Sequence, residues 1–187
     1  MALLIGGLVL FIGIHVVPSF SRLRAALTAR MGENGYKILF SVVSATGLVL
    51  AVIGYGQAPR DQIFEPSQTA RTFLPVAMAL AFVLVAVANV PGRMRRLLRH
   101  PMLAGVLVWS VLHLFANGDL ASNVLFSAFA LWTVFAILSA EHRGKRPAVA
   151  DGKLGNPAFD LAAVAVGLLA FWLILHFHAA LFGVAPV

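Results

Sequence analysis

Long uncharged apolar runs alternate with short polar segments along the whole chain. A helix needs about 20 apolar residues to cross roughly 30 Å of hydrocarbon, and most of these runs are close to that length. The fourth run is the shortest. The pattern predicts an all-α integral membrane bundle of about six transmembrane helices. The runs that form them are residues 2–20, 38–58, 72–90, 101–116, 120–140 and 161–187.

The fourth and fifth runs are joined by Asn117, Gly118 and Asp119, which form a tight-turn signal. These two helices should therefore form a hairpin with almost no loop. At the start of the chain, residues 1–11 show neither a basic segment nor a small-residue cleavage site. We expect them to remain as part of the first span and not to be removed as a signal peptide.

The composition argues against a separate soluble domain. Of the 187 residues, 60% are hydrophobic and 11% are charged, whereas soluble globular proteins carry roughly 25% charged residues. The polar residues present are too few to cover a core of this size in water. We predict one transmembrane domain over residues 1–187, with membrane lipid as its main surroundings.

The formal net charge is +7, and its distribution predicts an orientation. Basic residues dominate segments 21–37, 91–100 and 141–160, which alternate with the less basic segment 59–71 and with Asp119. The positive-inside rule places the three basic segments in the cytoplasm and both termini on the outer, periplasmic side. This use of positive charge in short membrane loops argues against a nucleic-acid partner.

Several kinds of chemistry are excluded by residue type. The chain has no cysteine, which removes disulfides, thiolate ligands, iron–sulfur clusters and a cysteine nucleophile together. No phosphate loop, nucleophile elbow or zinc spacing occurs. No Asp, Glu, Lys or Arg interrupts an apolar run, so the carboxylates of a proton relay are missing. The ionisable groups that remain at membrane depth are histidines, and an ionisable residue there is a candidate functional residue.

His15 and His113 are the histidines best placed to bind a cofactor. Neutral imidazole is a good axial ligand for haem iron, and two such side chains on facing helices can hold a haem within a bundle. Near His15, Pro18 frees the carbonyl of Ile14 and makes the backbone irregular. Ser19 lies one turn further along the same face.

In the fourth run, four residues spaced four positions apart lie on one helical face and form a stripe: Gly105, Trp109, His113 and Asn117. The stripe combines close helix approach, a flat ring, an iron ligand and a polar side chain on one face. The sequence therefore predicts haem b between the two helices, with His15 and His113 as the metal ligands. The remaining cofactor contacts are predicted to be Ser19, Gly105, Trp109 and Asn117. The alternative is that both histidines only form hydrogen bonds between helices.

His176 and His178 are two residues apart, so they point about 200° away from each other on a helix. At most one of them can face the interior, and hydrogen bonding within the packed helices is the expected role for both. Whether either of them, or His100 at a membrane edge, has a further role is left open by the sequence.

Four motifs resemble the NnrU family, and the resemblance covers essentially the whole chain. NnrU proteins are bacterial membrane proteins linked to denitrification, and zeta-carotene isomerase, which holds a b-type haem, belongs to the same superfamily. The motifs are His15-x-x-Pro18-Ser19-x-Ser21-x-Leu23-Arg24, Gly32-Glu33-x-Gly35-Tyr36-Lys37, Phe40-Ser41-x-x-Ser44-x-x-Gly47-Leu48 and Arg99-His100-Pro101-Met102-x-x-Gly105-x-x-x-Trp109-x-x-x-His113-Leu114-x-x-Asn117-Gly118-Asp119.

The resemblance implies a haem protein of the bacterial inner membrane, with redox or isomerase-like activity in nitrite and nitric oxide metabolism. Two histidines of the isomerase motifs correspond to His15 and His113. The isomerase cysteine linked to ligand exchange corresponds to Ser110, and serine is a poor iron ligand. The resemblance further implies a small apolar or gaseous ligand at the haem. Oligomeric state is left open.

Two alternatives belong to other functional classes. The run Arg99-His100-Pro101 resembles membrane methyltransferases that use S-adenosylmethionine, in which a later pair of glutamates completes the cofactor site. This chain has one acid at the matching place, Glu141. The other alternative is a cofactor-free accessory protein that aids assembly of the enzymes of nitrogen-oxide respiration.

Overall fold

The computed structural model describes residues 1–144 and 156–183, most of which are helical, and there is no strand among them. The prediction of an all-α protein is therefore confirmed. The basic residues Lys145, Arg146 and Lys153, which the topology prediction used, lie outside the described residues. The helices are α1 (Ala2–Val16), α2 (Ser21–Gln57), α3 (Gln68–Asn89), α4 (Met94–Leu97), α5 (Pro101–Asn117), α6 (Leu120–His142) and α7 (Pro157–Phe182).

Five of the described helices are long and apolar enough to cross a membrane: α1 with its following turn, α2, α3, α6 and α7. Helix α5 is also apolar but has 17 residues. At a rise of about 1.5 Å per residue it is about 25 Å long, somewhat less than the ~30 Å of the hydrocarbon layer. A multi-pass helical protein is thus supported, with five candidate spans and a sixth, shorter apolar helix.

The segment 21–37 was expected to be a loop and is helical instead. Helix α2 begins at Ser21 and includes this segment, with one break at Gly32, where φ is 73° and ψ is 167°. Glycine adopts positive φ without steric cost, and the Ala- and Leu-containing stretch before it has high helix propensity. Arg24 and Glu33 form an ion pair of 3.2 Å across the break.

Glycines bring α1 and α2 close together. A Cβ atom placed on Gly47 would lie 2.6 Å from the backbone nitrogen of Phe11, and one on Gly7 would lie 2.7 Å from the carbonyl oxygen of Gly47. Small residues at helix contacts are the usual means of tight packing in lipid, where the hydrophobic effect does not drive helices together. These glycines therefore fix how the two helices pack.

The other helices form a second group around α3. Helix α5 packs on α3 at Gly105, where an added Cβ would lie 2.7 Å from the carbonyl oxygen of Ala81. Helix α7 packs on α3 at Gly167. The predicted hairpin between α5 and α6 is present: Gly118 has φ 85°, and the side chain of Asp119 accepts a hydrogen bond of 3.0 Å from the backbone N–H of Ser122.

The bundle has two chemically different ends. At the hairpin end, formed by residues 58–67 and 117–119, Ile63 N donates to Gly118 O at 2.9 Å. At the basic end, formed by residues 17–20, 90–100 and 142–144, Asp160 at the start of α7 accepts from Met94 N at 2.9 Å. The described parts of the basic segments 91–100 and 141–160 thus meet at one end of the bundle, where Arg143 also contacts Ser19, just before the third basic segment.

Candidate functional site

An apolar cavity of about 540 Å³ lies in the half of the bundle nearest the hairpin end. Its volume is within the ~300–1,000 Å³ that small-molecule and cofactor sites occupy. Five helices, α2, α3, α5, α6 and α7, supply its walls. The lining residues are Leu48, Ala51, Val52, Tyr55, Leu74, Pro75, Met78, Phe82, Trp109, His113, Asn117, Leu125, Phe126, Phe129, Phe171, Ile174, Leu175, His178 and Phe182.

His113 faces this cavity from α5, and its ring is fixed on two sides. Its Nδ1 lies 2.9 Å from the carbonyl oxygen of Trp109, and its ring centroid lies 4.9 Å from that of Phe126. A carbonyl oxygen can only accept, so Nδ1 carries the proton and donates. In the neutral ring the lone pair is then on Nε2, and this is the arrangement in which a backbone acceptor orients a metal-binding histidine.

His178 lines the same cavity from α7 and is half-buried. His176 is exposed and stacks on Trp172, with ring centroids 5.6 Å apart. The two histidines therefore face different ways, as their helical separation requires, and the interior one is His178. The sequence alone predicts no site role for His178. The sequence pattern that could have indicated its interior position is the helical face formed by Gly167, Phe171, Leu175 and His178.

His15 is not among the residues that line the cavity. Its Nδ1 lies 2.7 Å from the carbonyl oxygen of Phe11, and its ring centroid lies 5.4 Å from that of Trp132. His113 instead packs beside Phe126, six positions before residue 132 on the same helix, which corresponds to about 9 Å along the axis. The structure does not bring His15 and His113 to one site, and their joint ligation of iron stays a prediction.

Of the other predicted cofactor contacts, two line the cavity and two lie elsewhere in the bundle. Trp109 and Asn117 line the cavity, and Asn117 Nδ2 donates to the carbonyl oxygen of His113 at 2.7 Å. Gly105 lies outside it and serves the contact of α5 with α3. Ser19 is at the basic end, where its carbonyl oxygen accepts from Arg143 at 3.4 Å.

Ser110, which the resemblance matches to the isomerase cysteine, is fully buried. Its hydroxyl donates to the carbonyl oxygen of Leu107 at 3.1 Å, within its own helix. Ser110 is not among the residues that line the cavity. This position therefore offers no ligand exchange at the site.

Two arginines lie at the hairpin end beside lining residues. Arg71 Nε donates to the carbonyl oxygen of Ala116 at 3.0 Å. The guanidinium of Arg60 lies 4.0 Å from the ring centroid of Tyr55 and donates to the carbonyl oxygen of that residue at 3.0 Å. Positive charge is thus present next to an otherwise apolar cavity, and that of Arg60 is already paired with Asp119 at 3.5 Å. From the sequence alone, both residues are predicted only to be charges of a loop.

A hydrogen-bonded chain joins the cavity wall to the turn between α5 and α6. The hydroxyl of Ser122 donates to Asp119 Oδ2 at 2.5 Å, so the hydroxyl of Tyr55 donates in turn to Ser122 at 2.9 Å. Ser122 is fully buried. The pairing of residues 67 positions apart in the sequence could not be found from local spacing.

His113 and His178 are the two histidines on the cavity wall. Within residues 1–144 and 156–183, no group of three or more His, Asp or Glu side chains is placed to hold a metal ion. A haem requires only one or two protein ligands because the porphyrin supplies the others.

A separate polar cluster lies at the basic end. Arg99 Nη1 donates to Glu141 Oε2 at 2.8 Å, and His100 Nε2 donates to Glu141 Oε1 at 2.9 Å. The structure thus brings together the three residues that carried the resemblance to membrane methyltransferases. Glu141 is occupied by two partners of the same chain.

The fold and site define a multi-pass helical membrane protein with a histidine-containing apolar cavity inside the bundle. The family model described as NnrU protein matches residues 3–186, and the chain belongs to the NnrU family. The resemblance inferred from the sequence motifs is therefore confirmed. No curated protein and no solved structure matches the chain.

Proposed function

We propose that the chain is a membrane haem protein that holds haem b in the apolar cavity, with His113 as an axial ligand. The observation that supports this most strongly is the orientation of His113, whose Nδ1 is held by the carbonyl oxygen of Trp109 while its ring faces a cavity of about 540 Å³. The test is the optical spectrum of the protein purified from haem-replete cells. A Soret band with α and β bands on reduction is expected.

His178 is the proposed second ligand. It lines the same cavity from α7, whereas His15 lies outside the cavity. Two nitrogen ligands would give six-coordinate, low-spin iron. The pairing of His15 with His113 predicted from the sequence requires α1 and α6 to repack, because Phe11 and Trp132 now enclose the His15 ring.

The remaining residues of the cavity suit the other parts of a haem. Apolar and aromatic side chains exclude water from the macrocycle, and Trp109 and Phe126 pack at the His113 ring. Arg71 would supply positive charge at the hairpin end for a propionate, whereas the charge of Arg60 is already paired with Asp119. A bound haem would supply an iron centre for electron transfer or for a small apolar or gaseous ligand.

The family fits a membrane protein linked to nitrogen-oxide metabolism, and we place this activity in the bacterial inner membrane. A redox or gas-binding role is favoured over carotenoid isomerisation. The reason is that position 110 carries a serine whose hydroxyl is bonded within α5, so the exchange of ligands associated with the isomerase cysteine has no counterpart. A cofactor-free accessory protein would instead fold without any haem absorption.

The basic end is proposed to face the cytoplasm, because translocation of several arginines is disfavoured. Single cysteines at Arg95, at the basic end, and at Gln62, at the hairpin end, should react with an impermeant thiol reagent from opposite sides of the membrane. Reaction from the same side would contradict the proposed orientation.

A membrane methyltransferase is the second candidate, favoured by the meeting of Arg99, His100 and Glu141. We expect no binding of S-adenosylmethionine, because Glu141 is already paired twice and the second glutamate of such sites is missing. Calorimetry on the purified chain checks this. Micromolar affinity that disappears in Glu141→Gln would make the methyltransferase the preferred function.

A further inference from the structure

A second cavity, of about 430 Å³, opens at the basic end between α4 and the start of α5. It differs from the haem cavity in position and in charge, because its polar wall consists of basic side chains. Glu141 and Asp160, the carboxylates described at this end of the bundle, are not among its lining residues. The basic residues that line it are Arg95, Arg96, Arg99 and His100.

The nearby carboxylates leave part of this positive charge uncompensated. Glu141 accepts hydrogen bonds from both Arg99 and His100. Asp160 accepts from the backbone N–H of Met94 at 2.9 Å. Neither carboxylate is recorded in an ion pair with Arg95 or Arg96 within the described parts of the chain. An anion would complete the charge balance of this wall.

Arg96 gives the most specific indication. Its Nη1 atom is buried and has no hydrogen-bond partner among residues 1–144 and 156–183. A buried guanidinium nitrogen without an acceptor is unfavourable. Phosphate oxygens match the planar donors of arginine better than most acceptors do. We propose that this basic cavity binds a phosphate group, with Arg96 as its innermost donor and Arg95 and Arg99 at its rim.

The phosphate could belong to an anionic phospholipid headgroup or to a soluble phosphate ester. The position favours the lipid, because the exposed side chains of Leu97 and Met102, which are 70% and 44% accessible, lie beside the arginines and would contact acyl chains. Basic clusters at a membrane surface attract anionic headgroups. This inference does not depend on the haem proposal, since the two cavities share no lining residue.

Native mass spectrometry of the full chain in detergent tests the proposal. Phosphatidylglycerol is added in one arm, phosphatidylcholine in a second, and inorganic phosphate or glycerol 1-phosphate in a third. The wild type should retain phosphatidylglycerol, and Arg96→Gln should weaken retention about tenfold, as expected for a lost charge-assisted hydrogen bond. Arg22→Gln is the matched control, because Arg22 is exposed on α2 and the substitution removes the same charge.

Arg95→Gln provides a second variant at an exposed lining residue whose replacement should not affect folding, and a smaller loss of binding is expected there. Binding of the soluble phosphates with the same dependence on Arg96 would support the site and assign it to a soluble ester. Equal retention by wild type, Arg96→Gln and Arg95→Gln in all three arms would overturn the proposal. A loss of phosphatidylglycerol retention in Arg22→Gln equal to that in Arg96→Gln would also overturn it, because binding would then depend on net charge alone.

Discussion

Replacement of His113 by alanine should reduce haem retention by at least about 100-fold, since even outer partners of metal ligands typically change affinity 10–100-fold. His113 is the histidine that combines a fixed ring orientation with a place on the cavity wall. The measurement is Soret absorbance per polypeptide after purification in mild detergent. Helix content by circular dichroism shows whether the variant has folded.

Three further histidine variants locate the second ligand. His178→Ala should convert the spectrum to a five-coordinate, high-spin form, whereas His176→Ala should leave it unchanged. These two residues are a matched pair on α7, because His176 is exposed and stacks on Trp172, whereas His178 lines the cavity. His15→Ala should also leave the spectrum unchanged. A high-spin form in His15→Ala, with His178→Ala unaffected, would instead support the pair predicted from the sequence.

Gly7→Leu should destabilise the protein by about 3 kcal/mol or more, at the upper end of the usual cost of overpacking. A Cβ at this position would lie 2.7 Å from the carbonyl oxygen of Gly47 and 2.8 Å from Cα of Ala51. Both are backbone atoms that cannot move aside as a flexible side chain can. Helices α1 and α2 would have to separate along their glycine contact. Unfolding in mixed micelles, followed by circular dichroism, measures the loss.

Gly6→Leu is the control for this prediction. Gly6 precedes Gly7 on the same helix, is exposed, and has no atom within 4 Å of an added Cβ. Its replacement adds the same side chain on the lipid-facing side of α1 and should change the free energy of unfolding by less than about 0.5 kcal/mol, as for other surface positions. If the two variants were equally stable, the close contact of α1 with α2 would be wrong.

The helices themselves could be predicted well from the sequence. Uncharged runs of suitable length mark each long helix, and Gly118 with Asp119 marks the hairpin between α5 and α6. The stripe on α5 correctly placed Trp109, His113 and Asn117 on one face. These features depend on local composition and helical spacing, which are visible without knowing what packs against them.

The side of each helix that packs inside the protein could not be predicted in the same way. Lipid and protein interior are both apolar, so hydrophobic periodicity does not distinguish the two sides of a membrane helix. For this reason the sequence could not show that His178 lines the cavity and that His15 does not. The bond between Tyr55 and Ser122 depends on how distant helices meet. The start of α2 is helical although its charges predict a loop, because charged side chains also suit an exposed helical face.

The pyridine haemochrome spectrum of the wild-type chain tests the central claim most directly. It identifies the haem type and gives the ratio of haem to protein after purification from haem-replete cells. The account predicts haem b at about one per chain, as expected for one cavity with a single pair of axial ligands. Protein that is folded by circular dichroism, binds no added haem and shows no Soret band would contradict it.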